Sequence, residues 1–274
     1  MKVYIQSNKY QKIAAKIAAY SFERFGLETK YINFEDNKIL NHYLGHSYLR
    51  KGKVCTFKDD LQSFTILRFL APQINKNNEI ILVIDPDVFA LKDPAHMINL
   101  VSNFDIACTF RNNDPRSEVM LINTNKINWN FENLCQKVFN KQLDYSQLMN
   151  LKFDQDLKIK EINNKYNSID MVNKDTVLLH TSNRITQPWK EDLTVNFERH
   201  NLKIKDFIKY HLKKFLNLKY DQNLFADKFL KHPNQDVYLI VKNLFHEAVK
   251  NNFILTHEIN EAINKGYISK KFVN

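Results

Sequence analysis

The apolar residues of this chain change period several times, and each change marks an element. Residues 2–6 alternate as a strand does. Residues 9–25 place Ile13, Ala14, Ile17, Ala18 and Phe22 at helical spacing, and 28–34 reads as a second strand. Asp59 or Asp60 is placed to cap a helix running to about Leu70, which Pro72 is expected to stop. Residues 80–84 are a continuous apolar run of strand length, the pattern of a central parallel strand covered on both faces. A helix over 94–101 opens on proline. Strands at 104–110 and 118–123, a helix at 129–141 and a strand at 176–180 follow. This alternation predicts an α/β fold with an open sheet.

The pattern shifts after Trp189. From about residue 203 the chain is mostly helical in period. Ile204, Phe207, Ile208, Leu212, Phe215 and Leu216 form one stripe, with Lys203, Lys205, Lys209, Lys213, Lys214 and Lys219 around it. Two parts are therefore expected, a domain over 1–198 and a helical extension over 199–274. The extension either packs on the core with snorkelling lysines or lies on an anionic membrane surface.

Composition removes several function classes. Only four glycines occur, Gly26, Gly45, Gly52 and Gly266, and no subset fits a Walker A loop or a dinucleotide fingerprint. Bound phosphates would have to be met by a metal ion together with Lys, Arg or His. Cys55, Cys108 and Cys135 contain no CxxC pair, so neither a zinc ribbon nor a disulfide framework is indicated and a reducing compartment fits. Met1-Lys2 leads straight into a strand pattern, and the cleanest apolar run, 80–84, is far short of the ~20 residues of a membrane span. A cytoplasmic protein is expected, peripheral on the membrane if the lysine-rich helix binds there. Net charge is 40 − 30 = +10, which invites a polyanion. The surplus is 33 Lys against 7 Arg, whereas Arg is the residue that reads bases, so no nucleic-acid partner is expected. Four of the seven arginines, Arg68, Arg111, Arg116 and Arg184, fall in the segments that carry candidate chemistry.

The most apolar strand ends at Ile84 and runs into Asp85-Pro86-Asp87. Open α/β sheets bind ligands at the carboxyl ends of their strands. Two carboxylates two apart at that point can grip one hard cation through oxygen. Asp-x-Asp alone is a common tripeptide, and a second copy stands at Asp154-Gln155-Asp156. A turn or helix cap is the alternative use of either.

A longer resemblance surrounds the first copy. Leu67-Arg68, the 80–84 strand and Asp85-Pro86-Asp87 are followed in order by Ser117-Glu118-Val119-Met120-Leu121-Ile122-Asn123, Asp154-Gln155-Asp156, Asn164-Lys165-Tyr166-Asn167 and the stretch His180 to Trp189. This ordered set resembles the family-8 retaining glycosyltransferases of GT-A fold, over roughly residues 1–190, which implies that the open sheet is mixed and flanked by helices. The departures are a proline inside the DxD, Arg116-Ser117-Glu118 in place of Asn-Ser-Gly, and a closing motif with Asn183 for its Gly and Gln187 for its Lys.

The resemblance implies a nucleotide-sugar donor, most often a UDP-sugar, and Mn²⁺ or Mg²⁺ held by Asp85, Asp87 and His180. It implies that Ser7, Asn8 and Tyr10 meet the nucleoside and that Arg68 faces the phosphate or donor sugar. Gln155 would sit beside the anomeric carbon, with Asp154 on the donor sugar. Arg184 or Lys190 would replace the missing phosphate-clamp lysine. A divalent ion would act as Lewis acid on the leaving diphosphate. The acceptor would be a glycan or a lipid-linked glycan of a surface-polysaccharide or lipooligosaccharide pathway. Three other readings stand beside this one. The first is a non-catalytic nucleotide-sugar or glycan-binding protein on the same fold. The second is a basic membrane-surface protein in which the motifs are coincidental. The third is a nucleotidyltransferase, disfavoured because the turn after the first strand has no glycine. Trp189 and Cys108 read as packing residues.

Overall fold

In the computed structural model, residues 1–75, 79–197 and 226–274 are described, together with Leu212 and Leu216. Apart from those two leucines, the 203–219 stripe lies outside the described residues.

The main sheet has six strands. Their ranges are β1 Lys2–Ser7, β2 Thr29–Asn33, β5 Ile80–Ile84, β7 Ile106–Arg111, β8 Asp114–Asn123 and β9 Ile159–Glu161, in the order β2-β1-β5-β8-β7-β9. The β2, β1 and β5 strands run parallel, while β8 is antiparallel to both β5 and β7. The 80–84 run is thus central and buried, as expected, with one parallel and one antiparallel neighbour. Its alternation is hidden because both faces are covered. Leu82 and Ile84 join a core with Val3, Ile5, Val119 and Leu121 on one face. Ile81 and Val83 join Tyr4, Met120 and Ile122 on the other. Period-2 side-chain geometry therefore feeds two cores from one apolar run.

The first core holds helix α1, Lys12–Glu23, together with residues of the C-terminal helices Gln235–Lys250, Thr256–Asn264 and Lys270–Val273. Val237, Val241, Phe245 and Phe272 share it with Ala14, Ile17 and Ala18. The second core takes Phe131, Leu134 and Val138 from the helix Phe131–Phe139. Among the described residues no helix is long and apolar enough to cross a membrane.

Two local expectations are corrected. The stretch before Pro72 is a 3₁₀ turn over Thr65–Phe69 rather than a helix from residue 59, and Pro72 lies in the first turn of the short helix Ala71–Ile74 instead of ending one. Proline lacks the N–H that a first turn leaves unused, so it starts this helix at no cost. Residues 95–100, read as a helix, form a 3₁₀ segment.

A second, small sheet is decisive for the site. Strands β10 Ser168–Ile169, β11 Leu178–His180 and β6 Val88–Ala90 pair in the order β10-β11-β6. The β6 and β11 strands are antiparallel, with His180 opposite Val88. That register carries a residue from late in the chain to the residue next to Asp87.

Candidate metal and donor site

Asp85-Pro86-Asp87-Val88 is a turn between β5 and β6, closed by the Val88 N–H donating to the Asp85 carbonyl at 3.2 Å. Proline at the second position of such a turn presets its φ. The Asp85 N–H donates to the Glu118 carbonyl at 3.0 Å, and the Thr181 N–H to the Asp87 carbonyl at 3.0 Å. Backbone from β8 and from the end of β11 thus locks both aspartates.

Asp85, Asp87 and His180 are all buried, and one ligand atom from each lies within 4.8 Å of the others. Asp85 Oδ1 accepts from Arg68 Nη2 at 2.6 Å and also from Gln6 Nε2. Asp87 Oδ2 accepts from Gln187 Nε2 at 3.1 Å. His180 Nε2 is 3.4 Å from Asp87 Oδ1. Asp87 Oδ1 and His180 Nε2 thus face each other, and Asp85 Oδ2 is the carboxylate oxygen that neither Arg68 nor Gln6 takes. Two carboxylate oxygens and one imidazole nitrogen fit a hard to borderline divalent ion.

The electrostatics follow from burial. Desolvation and the neighbouring Asp87 push the Asp85 carboxyl up, against the pull of Arg68. Burial alone would lower His180, but the charge and hydrogen bond of Asp87 outweigh it and raise the imidazole to about 9. Burial would raise Glu118, yet the hydrogen bonds and charge of Arg116 hold it at about 2. Arg116 grips Glu118 at 2.6 Å. A metal ion at the triad would displace the proton from His180 and favour both carboxylates in their charged form.

These groups line a cleft of about 250 Å³ at the carboxyl ends of β1 and β5. Five of the seven arginines line it: Arg50, Arg68, Arg111, Arg116 and Arg184. Arg68 is nearly fully buried and also donates to Thr65 O and Ser117 Oγ, each at 2.8 Å. Arg184 donates to Gln62 Oε1 at 2.7 Å on the cleft wall.

The other residues named from sequence lie elsewhere. Lys190 does not line the cleft. Its buried Nζ donates to the carbonyls of Tyr10 and Tyr267 at 3.0 and 3.1 Å. Burial lowers this lysine to about 7. Asn8 Nδ2 donates to Asp60 O at 2.8 Å and to Ser63 Oγ at 2.9 Å, while Ser7 Oγ donates to Asn8 O. Tyr10 donates to Asp59 O and meets Tyr267 edge-on at 5.3 Å. Asn8 lines an adjoining hollow of about 270 Å³ with Lys9, Glu35 and Asp36. Asp154 and Gln155 do not line the metal cleft, and Gln155 is exposed. Phe153 anchors their turn against Phe69 and Trp129, at 5.6 and 5.2 Å.

Sequence reading missed Gln11, Arg50 and Tyr145 at the cleft and Gln6 behind Asp85. Gln6 had a signal, being an amide that directly follows the apolar run Val3-Tyr4-Ile5. The parallel register pairs Ile5 with Ile84, so Gln6 stands level with Asp85. Gln11 Nε2 donates to Gln187 Oε1 at 3.1 Å, and no local pattern foretells that pair.

Solved glycosyltransferase structures are partly similar to this chain, each with a TM-score below 0.5. An active-site mutant of LgtC matches with a TM-score of 0.49 at 12% identity, over 69% of this chain and 89% of that one. The glycosyltransferase GlyE of Streptococcus pneumoniae matches at 0.46 and 16% identity, over 80% of this chain and 65% of that one. Mouse xyloside xylosyltransferase 1 matches at 0.42 and 9% identity, over 66% of this chain and 97% of that one. No family model matches the chain, and no curated protein matches its sequence.

Proposed function

We propose that the chain is a metal-dependent, retaining glycosyltransferase that moves a hexose from a nucleotide sugar, a UDP-sugar first among candidates, to a glycan or lipid-linked acceptor. The single observation that carries this reading is the buried Asp85–Asp87–His180 group in an arginine-lined cleft at the carboxyl ends of parallel strands. Asp85, Asp87 and His180 would hold Mn²⁺ or Mg²⁺, which when bound supplies Lewis-acid neutralisation of the diphosphate. Arg68 already fixes Asp85, and its remaining field, with that of Arg184, favours a diphosphate in the cleft. A cleft that meets phosphate through cations needs no glycine-rich loop.

In the transfer itself the bond from the anomeric carbon to the phosphate oxygen breaks and the bond to the acceptor hydroxyl oxygen forms on the same face. The electron pair leaves with the diphosphate, and the hydroxyl proton ends on a leaving-phosphate oxygen. No strong general base is required. Gln155 and Asp154 reach the donor sugar in this reading only if their turn swings toward the cleft. Unchanged turnover in Gln155→Ala would remove that residue from the mechanism. In this reading the helices over 235–273 are an extension packed on a domain over 1–198, and peripheral contact with a membrane falls to the 203–219 lysines, which lie outside the described residues.

The test is a thermal-shift panel of UDP-, GDP-, ADP- and CMP-sugars with and without Mn²⁺, on wild type and Asp87→Ala. A ligand that binds only the native state at 100 times its Kd adds about 2.7 kcal/mol. The expected result is a shift with one nucleotide class that needs both Mn²⁺ and Asp87, followed by turnover of that donor. A shift without turnover favours the non-catalytic binding protein, the reading to which the Gln187 and Arg116-Ser117-Glu118 departures point. No shift with any donor sinks both.

A further inference from the structure

A second cavity of about 420 Å³ opens beside the metal cleft. Arg111 and Arg116 line both, so the two hollows adjoin at that pair. The second one is also lined by Lys165 and by Asn163, Asn164 and Asn173, and no carboxylate lines it. Asn167, which holds His180, forms part of its wall.

Two of the three cations that line this cavity carry unpaired charge among the described residues. Arg116 is paired with Glu118, but Arg111 and Lys165 have no ion-pair partner among the described residues. Arg111 is also held in place. It ends β7 at a two-residue hairpin whose Asn112 and Asn113 have φ of 53° and 65°, and it faces Asp114 across the ladder. Two positive φ values in a two-residue loop match the twist of the flanking strands, and asparagine tolerates them. Amides that both donate and accept suit sugar hydroxyls. Ile169 and Met171 add apolar surface for the C–H face of a ring.

We propose that this cavity receives the acceptor, and that the acceptor is a saccharide bearing an oxyanion, either a carboxylate or a phosphate, which Arg111 and Lys165 engage. This rests on the glycosyl-transfer reading of the adjoining cleft. A neutral glycan would strip water from the exposed Arg111 and the half-buried Lys165 and offer them no charge in return, which is costly. An oxyanion takes charge-assisted hydrogen bonds from both.

The test is ligand-observed NMR titration of the full chain with glucuronic acid, glucose 6-phosphate, glucose and inorganic phosphate, with UDP plus Mn²⁺ as a separate readout on the same samples. At least one anionic sugar should bind roughly tenfold or more tighter than glucose, and which one binds separates carboxylate from phosphate. Arg111→Gln and Lys165→Gln should each weaken it by a similar factor, while Asp87→Ala leaves it in place. Glucose binding as well as both anionic sugars, inorganic phosphate matching them, or indifference to both variants would overturn the proposal. Binding of UDP with Mn²⁺ but of no anionic sugar removes this proposal alone. Binding of an anionic sugar without any response to UDP and Mn²⁺ removes the donor reading, and the acceptor role with it.

Discussion

Asn167 decides which nitrogen of His180 faces the aspartates. Asn167 Nδ2 donates to Thr109 Oγ1 at 3.0 Å, so its Oδ1 is the acceptor in the 2.8 Å bond to His180 Nδ1. The imidazole must then carry a proton on Nδ1, which turns Nε2 toward Asp87. An imidazole ligand held this way keeps both its tautomer and its ring orientation.

Removing that hold should weaken the metal site without touching a ligand. Asn167→Leu is expected to lower Mn²⁺ affinity by roughly 10- to 100-fold, the usual effect of losing a partner that orients a ligand. Electron paramagnetic resonance of free Mn²⁺ reads it directly. An affinity equal to wild type would mean that strand pairing alone positions the ring.

The raised imidazole gives a pH signature. The folded-state value of about 9 exceeds the ordinary 6.5, so His180 contributes stability in the metal-free protein that is complete below about pH 6.5. That contribution is lost as pH rises through about 9. With chelator present, the difference in melting temperature between wild type and His180→Gln should shrink steadily from pH 6.5 to 9.5. Mn²⁺ affinity should rise over the same window, because the ion displaces the proton. A stability difference that is flat with pH contradicts the pairing with Asp87.

Arg68 and Asp85 form a buried pair at 2.6 Å, with the arginine nearly inaccessible. Arg68→Met leaves Asp85 with Gln6 as its remaining side-chain partner and should cost about 3 kcal/mol at pH 8. Burial and Asp87 already push Asp85 up, and losing the arginine pushes it further. The protonated acid needs no cation, so the loss should be smaller at pH 5. Urea unfolding at the two pH values measures both quantities, and equal losses would show that Arg68 acts through packing alone.

Lys190 should behave in the opposite sense. Burial depresses it to about 7 from an ordinary 10.5, so its protonation cost is fully present below pH 7 and is relieved as pH rises toward 10.5. Its two carbonyl partners tie the turn after β1 to the segment before the last helix. Lys190→Met should therefore compare more favourably with wild type at pH 6 than at pH 9.5 in thermal unfolding. A larger relative gain at the alkaline end would mean that the ammonium is satisfied where it sits.

The central apolar strand, the helix at 12–23, the α/β class and the DxD were legible in the sequence. Each depends on local order: a run of five buried residues, a 3.6-residue period, or two carboxylates placed just past a strand end. The open α/β sheet follows from that alternation, whereas its mixed character comes from β8, which lies antiparallel between β5 and β7. The His180 ligand was legible only through the order of motifs. What brings it to Asp87 is the β6–β11 pairing, between strands of three residues of which the sequence pattern shows only the second. The same holds for Gln11 and Arg50, which reach the cleft, and for Gln6, which reaches Asp85, from distant points of the chain. Lys190 carries the reverse lesson, since proximity in sequence to Gln187 suggested the cleft and burial against Tyr10 and Tyr267 took it away. Near-neighbour spacing specifies the elements and the first pair of carboxylates, so both could be read along the chain. Which side chains surround them depends on register between strands far apart in the chain, where a shift of one residue turns every side chain to the other face.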